Sequence, residues 1–592
     1  MHQKIQTDEE WAFEITAWMP TAWRKRLLQR WESMRSEGKD FFEEVNQARI
    51  ANIQLRDTVG TLNKIRIPLN ASDQDIIDRS EFLAHSCVQL ASMYHDATVL
   101  RIAMAKRAVA NSIEPPTGKK MTDSGAIARM TEAKWWRRKL RQLHAKTVES
   151  TAIALGYVNK ARDVYASGES VHRRLQQNKR NTAILESTIA TNELNQEFTL
   201  AELAASSTAN KQIRRAELMT RISGFELIAK DMEHMGSFMT LTCPSRMHRW
   251  RTVNNGKVIE NKKYDGTNPA EAQSYLSKVW ARIRAALARK NIKLYGFRVA
   301  EPQHDGTPHW HFLIFHPKKE AKTIESTVWK YALKDSPGEP GAHAHRVDFK
   351  AIDPSKGSAS GYIAKYIAKN IDGMHVGEDL YGNPAMETSL RVETWATTWG
   401  IRQFQQVGGA PVTVWRELRR IKKMPAEMPD FMINAWKATN KVNLKEHTGL
   451  ESTSWDKYII AQGGPVCGRK HRIKMAMKEK SGLGRYGEPL GSRPCGVEAK
   501  TRETYTPEHM KWMGGTATRV VEWFVESTRY TWEIRQKKRC SAPPWTGVNN
   551  CTVVPSEKHH KPIDIDQVNG YISEFSRPPD MKMMEVDGIW IT

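Results

Sequence analysis

The stretch "PHWHFLIF", residues 308–315, decides how the middle of this 592-residue chain is read. Its aromatic and β-branched apolar residues suit a strand, along which side chains alternate faces. His309 and His311 therefore point one way and Trp310 the other. Two imidazoles on one face can chelate a cation, or they can simply fill a strand, and the flanking residues bear on which holds.

Upstream, "FRVAEPQHDGTPHWH" (297–311) sets Glu301 eight residues before His309, with Asp305-Gly306 between them as a hairpin signal. Two imidazoles and a carboxylate make a mixed nitrogen and oxygen set suited to a divalent ion. A strict two-residue Asp-Gly turn would pair Glu301 with Trp310 and send the carboxylate to the wrong face. The metal reading thus requires a three- or five-residue loop, or a bulge. Further back, "SFMTLTCP" (237–244) alternates, an amphipathic helix is expected near 271–290, and "KLYGFRVAEP" (293–302) follows as a strand. Strand, helix, strand, strand and then a helix at 360–371 predict an α+β domain. It is built on an antiparallel sheet with helices on one side.

That last helix lies in "GSASGYIAKYIAKNIDG" (357–373), where serines and glycine precede the run and Asp-Gly ends it. Tyr362 and Tyr366, at i and i+4, share a face and present two hydroxyls to one site, while Ile363, Ile367 and the alanines face the sheet. Lys365 and Lys369 flank them and suit a phosphate. The competing reading is an amphipathic helix whose tyrosines pack at the core edge. A tyrosine hydroxyl, with a pKa of about 10, attacks a phosphodiester poorly unless a metal polarises the phosphate. The metal set and the tyrosine pair therefore explain each other. Attack would release a 3′-hydroxyl and leave a 5′-phosphotyrosine, a bond that can be resealed without ATP.

Four motifs together resemble the HUH endonucleases and, among them, the phage replication gene A protein family of tailed double-stranded DNA phages. They are "FMTLTCPSRMH", "RVAEPQHDGTPHWHFLIF", "IDPSKGSASGYIAKYIAKNIDG" and "TWATTWGIRQFQQVGGAPVTVWRELRR". The resemblance is close over residues 236–422 and fainter from about 125 to 500. It implies that His309 and His311 are metal ligands with Glu301 as the third, that the ion is Mg²⁺ or Mn²⁺, and that Tyr362 and Tyr366 are the nucleophiles. It further implies nicking of single-stranded or supercoiled DNA at a replication origin, extension of the free 3′ end by host polymerase, and rejoining after one round of rolling-circle replication. The tyrosines follow the histidines, whereas conjugative relaxases usually reverse that order, which favours a replication initiator. A two-tyrosine transposase and a non-catalytic, metal-stabilised DNA-binding regulator are the rival readings. No Gly-x4-Gly-Lys-Ser/Thr loop occurs, so unwinding is expected from a host helicase. His343 and His345 in "GAHAHRVDF" imitate the metal motif without an upstream carboxylate and read as a decoy.

Ninety Lys+Arg against 66 Asp+Glu give a net charge of +24, which favours a polyanionic partner. Residues 101–150 hold twelve Lys/Arg against four acids, with Trp135 and Trp136 among them. Either the indoles stack on bases beside phosphate-binding cations, or they are core residues under a solvated helix face. Residues 1–230 read as a mostly helical N-terminal region for DNA or partner binding, with a cap at Ser72. Residues 231–430 form the catalytic domain, and 431–592 form a C-terminal region of unassigned role that includes a helical candidate, "TRVVEWFVESTRYTWEIRQKKR" (518–539). Six cysteines without a CxxC pair read as reduced thiols. Cys540, Cys551, His559 and His560 have zinc-ligating residue types at a spacing that fits no standard pattern. The apolar run of about 18 residues or more that a spanning helix needs is absent, so the chain is expected in the cytoplasm of a bacterial host cell.

Overall fold

Apolar residues at helical spacing behind good capping residues govern the first part of the chain. A computed structural model describes residues 6–36, 41–62, 67–118, 121–253, 256–371, 385–440, 443–444, 451–508, 516–536, 584–586 and 589–591. Two compact units divide the chain: 1–170 with 479–491, and 171–478 with 492–592.

The first unit is helical. Helix α1 (Asp73–Ala91) starts at Ser72 as the sequence predicts. The Ser72 hydroxyl accepts from the Asp75 N–H at 3.1 Å and the Asp75 carboxylate accepts from the Ser72 N–H at 2.7 Å, a reciprocal capping box. Helix α2 (Ala133–Ala154) carries Trp135 and Trp136 into a core with Leu83, Cys87, Met104 and Met130. Both indoles are buried, and Trp136 Nε1 donates to the Met130 carbonyl at 2.6 Å. The base-stacking reading of this pair is therefore corrected: the rings fill the core, and several of the cations around them are engaged by acids. Arg141 grips Asp73 through two hydrogen bonds, of 2.8 and 2.7 Å. Segment 479–491 joins this unit through Glu488, which accepts from Arg129 at 2.7 and 2.6 Å.

The second unit is built on a five-stranded antiparallel sheet. In chain order this sheet and the helices around it are α3 (Lys211–Asp231), β1 (His234–Leu241), α4 (Pro269–Arg289), β2 (Tyr295–Pro302), β3 (Pro308–Pro317), α5 (Ala321–Ala332), β4 (Val347–Ala351), α6 (Ala359–Ile371), α7 (Ala385–Trp399) and β5 (Phe404–Val407). The spatial order is β4-β1-β3-β2-β5, and each neighbouring pair is antiparallel.

The expectation of helices on one side is corrected. All eight residues of β2 are buried, which requires cover on both faces. Tyr295, Phe297, Val299, Leu313 and Phe315 pack with Phe225 of α3 and with Ile363 and Ile367 of α6. On the opposite face α4 covers Trp310 and Phe312. The Trp280 ring lies 4.5 Å from that of Phe312, and Trp310 Nε1 donates to Gln273 Oε1 at 2.8 Å.

Residues beyond 430 complete the first of these cores with Met432, Trp455, Tyr458, Ile473, Val497 and Val525. Strands β6 (Ile473–Lys478), β7 (Arg493–Tyr505) and β8 (Ala517–Glu526) form a second antiparallel sheet. The helical candidate at 518–539 is thus also corrected. "TRVVEWFVE" is rich in Val, Trp and Phe, which a pleated, half-buried surface favours, and Trp532–Gln536 is likewise a strand. Cys87, Cys243, Cys467 and Cys495 are free thiols, whereas Cys540, Cys551, His559 and His560 lie outside the described residues. Among the described residues no helix is long and apolar enough to cross a membrane.

Candidate metal centre and tyrosine pair

The loop between β2 and β3 settles which face Glu301 occupies. Pro302 pairs with Pro308, so residues 303–307 form a five-residue loop, closed by the Gln303 N–H donating to the Thr307 carbonyl at 2.8 Å. Gly306 takes a φ of +83°, and Trp395 Nε1 secures its carbonyl at 2.7 Å. Glu301 therefore stands directly opposite His309, and directly opposed residues share a face. His311, two residues on, joins them there.

Ligand atoms of Glu301, His309 and His311 all lie within 4.8 Å of one another. The two Nε2 atoms are 2.9 Å apart, and Glu301 Oε2 is 3.8 Å from His311 Nε2. Thr240 of β1 faces His311 in register, its hydroxyl 3.0 Å from Nδ1, which fixes the ring with Nε2 toward the cluster. Burial, and next the neighbouring His311, hold the His309 imidazole well below its ordinary pKa; burial and then the Lys369 charge push His311 down to about 3. Both rings are accordingly neutral at pH 7, with lone pairs free to bind a cation. His309 Nδ1 is buried without a hydrogen-bond partner. Converging imidazole nitrogens beside a carboxylate suit a divalent cation better than they suit one another.

Helix α6 braces this cluster. Asn370 Nδ2 donates to Glu301 Oε1, Lys369 Nζ lies 3.5 Å from Oε2, and Gln403 Nε2 holds Asn370 Oδ1 at 3.2 Å. At its other end the Glu226 carboxylate accepts the Ala359 and Ser360 N–H groups at 2.6 and 3.0 Å. Between these anchors the Tyr366 ring lies 4.3 Å from that of His311. Tyr362 meets Phe238 edge-on at 4.6 Å, and the two tyrosine rings are 6.3 Å apart. Tyr362 is 46% exposed; Tyr366 is half-buried, and burial, reinforced by Tyr362 and Glu301, pushes its hydroxyl well above the ordinary tyrosine range.

The structure thus brings together Glu301, His309, His311, Tyr362 and Tyr366. Lys365 is exposed beside the tyrosines, whereas Lys369 is buried on Glu301. Sequence reasoning missed Thr240, Asn370 and Gln403. Asn370 continues the stripe of Tyr362 and Tyr366 by one more turn, and Thr240 follows Phe238 by two residues in an alternating strand, so both had a signal; Gln403 had none. His343 stacks on Trp329 at 6.3 Å, and the residues that could hold a metal among those described are Glu301, His309 and His311, without His343 or His345.

Fold and site together define an antiparallel α+β unit with a candidate cation site beside two tyrosines. Residues 69–374, more than half of the chain, match the family described as Bacteriophage replication gene A protein. The replication gene A protein of Escherichia phage 186 is 38% identical over 436 residues, 72% of this chain and 59% of that one. A probable replication protein of Pseudoalteromonas phage PM2 is 33% identical over 504 residues, 77% of this chain and 76% of its own length. A probable replication endonuclease from a prophage-like region of Salmonella typhimurium is 30% identical over 434 residues, 72% of this chain and 52% of its own. No solved structure matches. The chain belongs to the bacteriophage replication gene A protein family, and its match spans between half and three-fifths of the phage 186 and Salmonella relatives.

Proposed function

We propose that this protein is a site-specific single-strand DNA endonuclease and ligase that nicks a replication origin through a 5′-phosphotyrosine and so initiates rolling-circle replication of phage DNA in the bacterial cytoplasm. One observation carries the reading: Tyr366 lies 4.3 Å, ring to ring, from His311, inside a cluster of two neutral imidazoles and a carboxylate. A relative named as a probable replication endonuclease supports it. The tyrosine oxygen forms a bond to phosphorus as the bond to the 3′ oxygen breaks. The phenolic proton is lost and the 3′ oxygen gains one, so no redox partner is needed. Glu301, His309 and His311 would hold Mg²⁺ or Mn²⁺, which polarises the phosphodiester and offsets its charge. Thr240 orients His311, Asn370 and Lys369 orient Glu301, and Glu226 fixes the helix from which both hydroxyls project. The second tyrosine attacks the regenerated junction while the first still carries the 5′ end. Host helicase and polymerase supply unwinding and extension, and the helical N-terminal region up to residue 170 serves recognition of the origin or of host factors, whereas Phe225, Glu226 and the residues beyond 430 that fill the core support the site itself.

The test is incubation with supercoiled phage DNA and Mg²⁺, followed by mass spectrometry of any protein-DNA adduct. An adduct on Tyr362 or Tyr366 is expected. Nicks without attached protein, or an adduct elsewhere, would overturn the reading.

A further inference from the structure

Strand β4 forms one edge of the sheet and pairs with β1 so that Asp348 opposes Thr240 and Lys350 opposes Phe238. Opposed residues share a face, so Asp348 and Lys350 project from the side that carries His311 and underlies the tyrosines. Lys350 Nζ lies 2.8 Å from Asp348 Oδ2, and the lysine side chain remains 65% exposed. Phe238, directly across from Lys350, meets the Tyr362 ring edge-on at 4.6 Å and stacks on the Tyr366 ring at 5.4 Å, but Tyr366 also lies 4.3 Å from His311, on the strand beyond β1 and so farther from β4. Lys350 interacts with Asp348 and with Tyr362, both of which favour its charged form. Tyr366 feels Glu301 and Asp348, both carboxylates, besides Tyr362.

We infer that Lys350 is a specificity-determining residue that serves one tyrosine of the pair. Its ammonium, held in place by Asp348, offsets the charge of a phosphodiester under attack by Tyr362 and does little for one under attack by Tyr366. The inference rests on the two-tyrosine reading above. No proton transfer is asked of Lys350. The phosphate carries negative charge before, during and after formation of the Tyr362 oxygen to phosphorus bond, and a cation at the sheet edge lowers the energy of bringing it there. Tyr366 sits against the histidines, where a bound cation would do the same work, so the outer tyrosine is the one in need of a side-chain cation.

The test uses the full chain, Mg²⁺ and a single-stranded oligonucleotide spanning the mapped nick. Adduct formation is timed for Tyr366→Phe, in which Tyr362 alone can attack, and for Tyr362→Phe, in which Tyr366 alone can attack. Adding Lys350→Gln is expected to slow the first by roughly tenfold, less than for a buried donor because the lysine is exposed to screening, and to change the second by less than about twofold. Lys350→Arg, which keeps the charge, is expected to restore most of the rate. The Tyr362→Phe background also reports whether Lys350→Gln folds and binds DNA normally. Equal slowing in both backgrounds, or no slowing in Tyr366→Phe, would overturn the inference and leave the two-tyrosine reading intact. Failure of either single-tyrosine variant to form an adduct with Lys350 present would overturn that reading, and the inference with it.

Discussion

The inner and outer turns of α6 meet opposite surroundings although one short helix carries both. Inward, Tyr366, Lys369 and Asn370 are buried or half-buried against His311 and Glu301, and each contact is braced by another. Outward, Tyr362 and Lys365 stand exposed to solvent. The difference teaches that the site has a preorganised part, where removing one group leaves a neighbour unpaired, and an open part whose remaining partners, under the proposed function, come from DNA.

The largest expected effect tests whether the inner part is needed for chemistry at all. His309→Ala, His311→Ala and the double variant Tyr362→Phe/Tyr366→Phe should form no adduct on a denaturing gel, and EDTA should do the same to the native chain, while a band shift still reports DNA binding. Phe keeps each ring and its packing, so the double variant isolates the hydroxyls. An adduct formed at the native rate by the histidine variants would separate the cluster from the reaction. Single Tyr→Phe variants come next: each should still form an adduct on an oligonucleotide, and neither should complete a full cycle of cleavage, renewed cleavage and rejoining. A variant that completes whole cycles would reduce the other tyrosine to packing.

Asn370→Ala should strip Glu301 of a donor at a buried position. A loss of stability of about 1–3 kcal/mol by chemical denaturation is expected, with a metal requirement for cleavage raised by roughly tenfold. Native metal dependence in that variant would remove the bracing role assigned to α6.

The pH response sharpens the same contrast. His309 and His311 are held neutral in the fold, so without metal the unfolded chain binds more protons than the folded chain between about pH 6.5, the ordinary histidine value, and the folded value, about 3 for His311. Stability in EDTA should therefore be fully present above that window and fall as pH drops through it. His311→Ala should flatten that slope in thermal melts recorded across it; an unchanged slope would show that the imidazole is not held neutral by its surroundings. The smallest effect belongs to the open part: Lys365→Ala should reduce the salt dependence of single-strand binding by about 0.7 log units per log unit of salt, one phosphate contact. A slope equal to that of the native chain would place Lys365 away from the DNA.

Much of the local structure was legible in the sequence because strand and helix periods fix faces without knowledge of the fold. Alternation put His309 and His311 together, one-turn spacing put Tyr362 and Tyr366 together, and Ser72 marked the start of its helix. Loop geometry was legible only as a condition. Asp305-Gly306 signals a two-residue turn, yet it sits within a five-residue loop because Pro302 and Pro308 close the pairing and the Gln303 to Thr307 hydrogen bond completes it. Features that depend on distant residues were lost. The number of covered sheet faces depends on α4, which packs from elsewhere in the sequence, and the surroundings of Trp135 and Trp136 depend on α1 and its neighbours. At 518–539 a helix reading overlooked a β-branched and aromatic run. Gln403 reaches Asn370 only through tertiary placement.

Glu226 closes one end of α6 to an anion. The N-terminal end of a helix, with its peptide N–H groups and partial positive charge, is where a phosphate would ordinarily dock, but in α6 the Glu226 carboxylate already takes the Ala359 and Ser360 N–H groups and the Ser358 hydroxyl takes the Gly361 N–H. Under the proposed function a DNA strand would gain nothing by approaching along the helix axis. In the proposed reaction the strand would cross the flank of α6, past the two hydroxyls in succession, and the cut end would pass sideways from one turn of the helix to the next while the helix itself stays still.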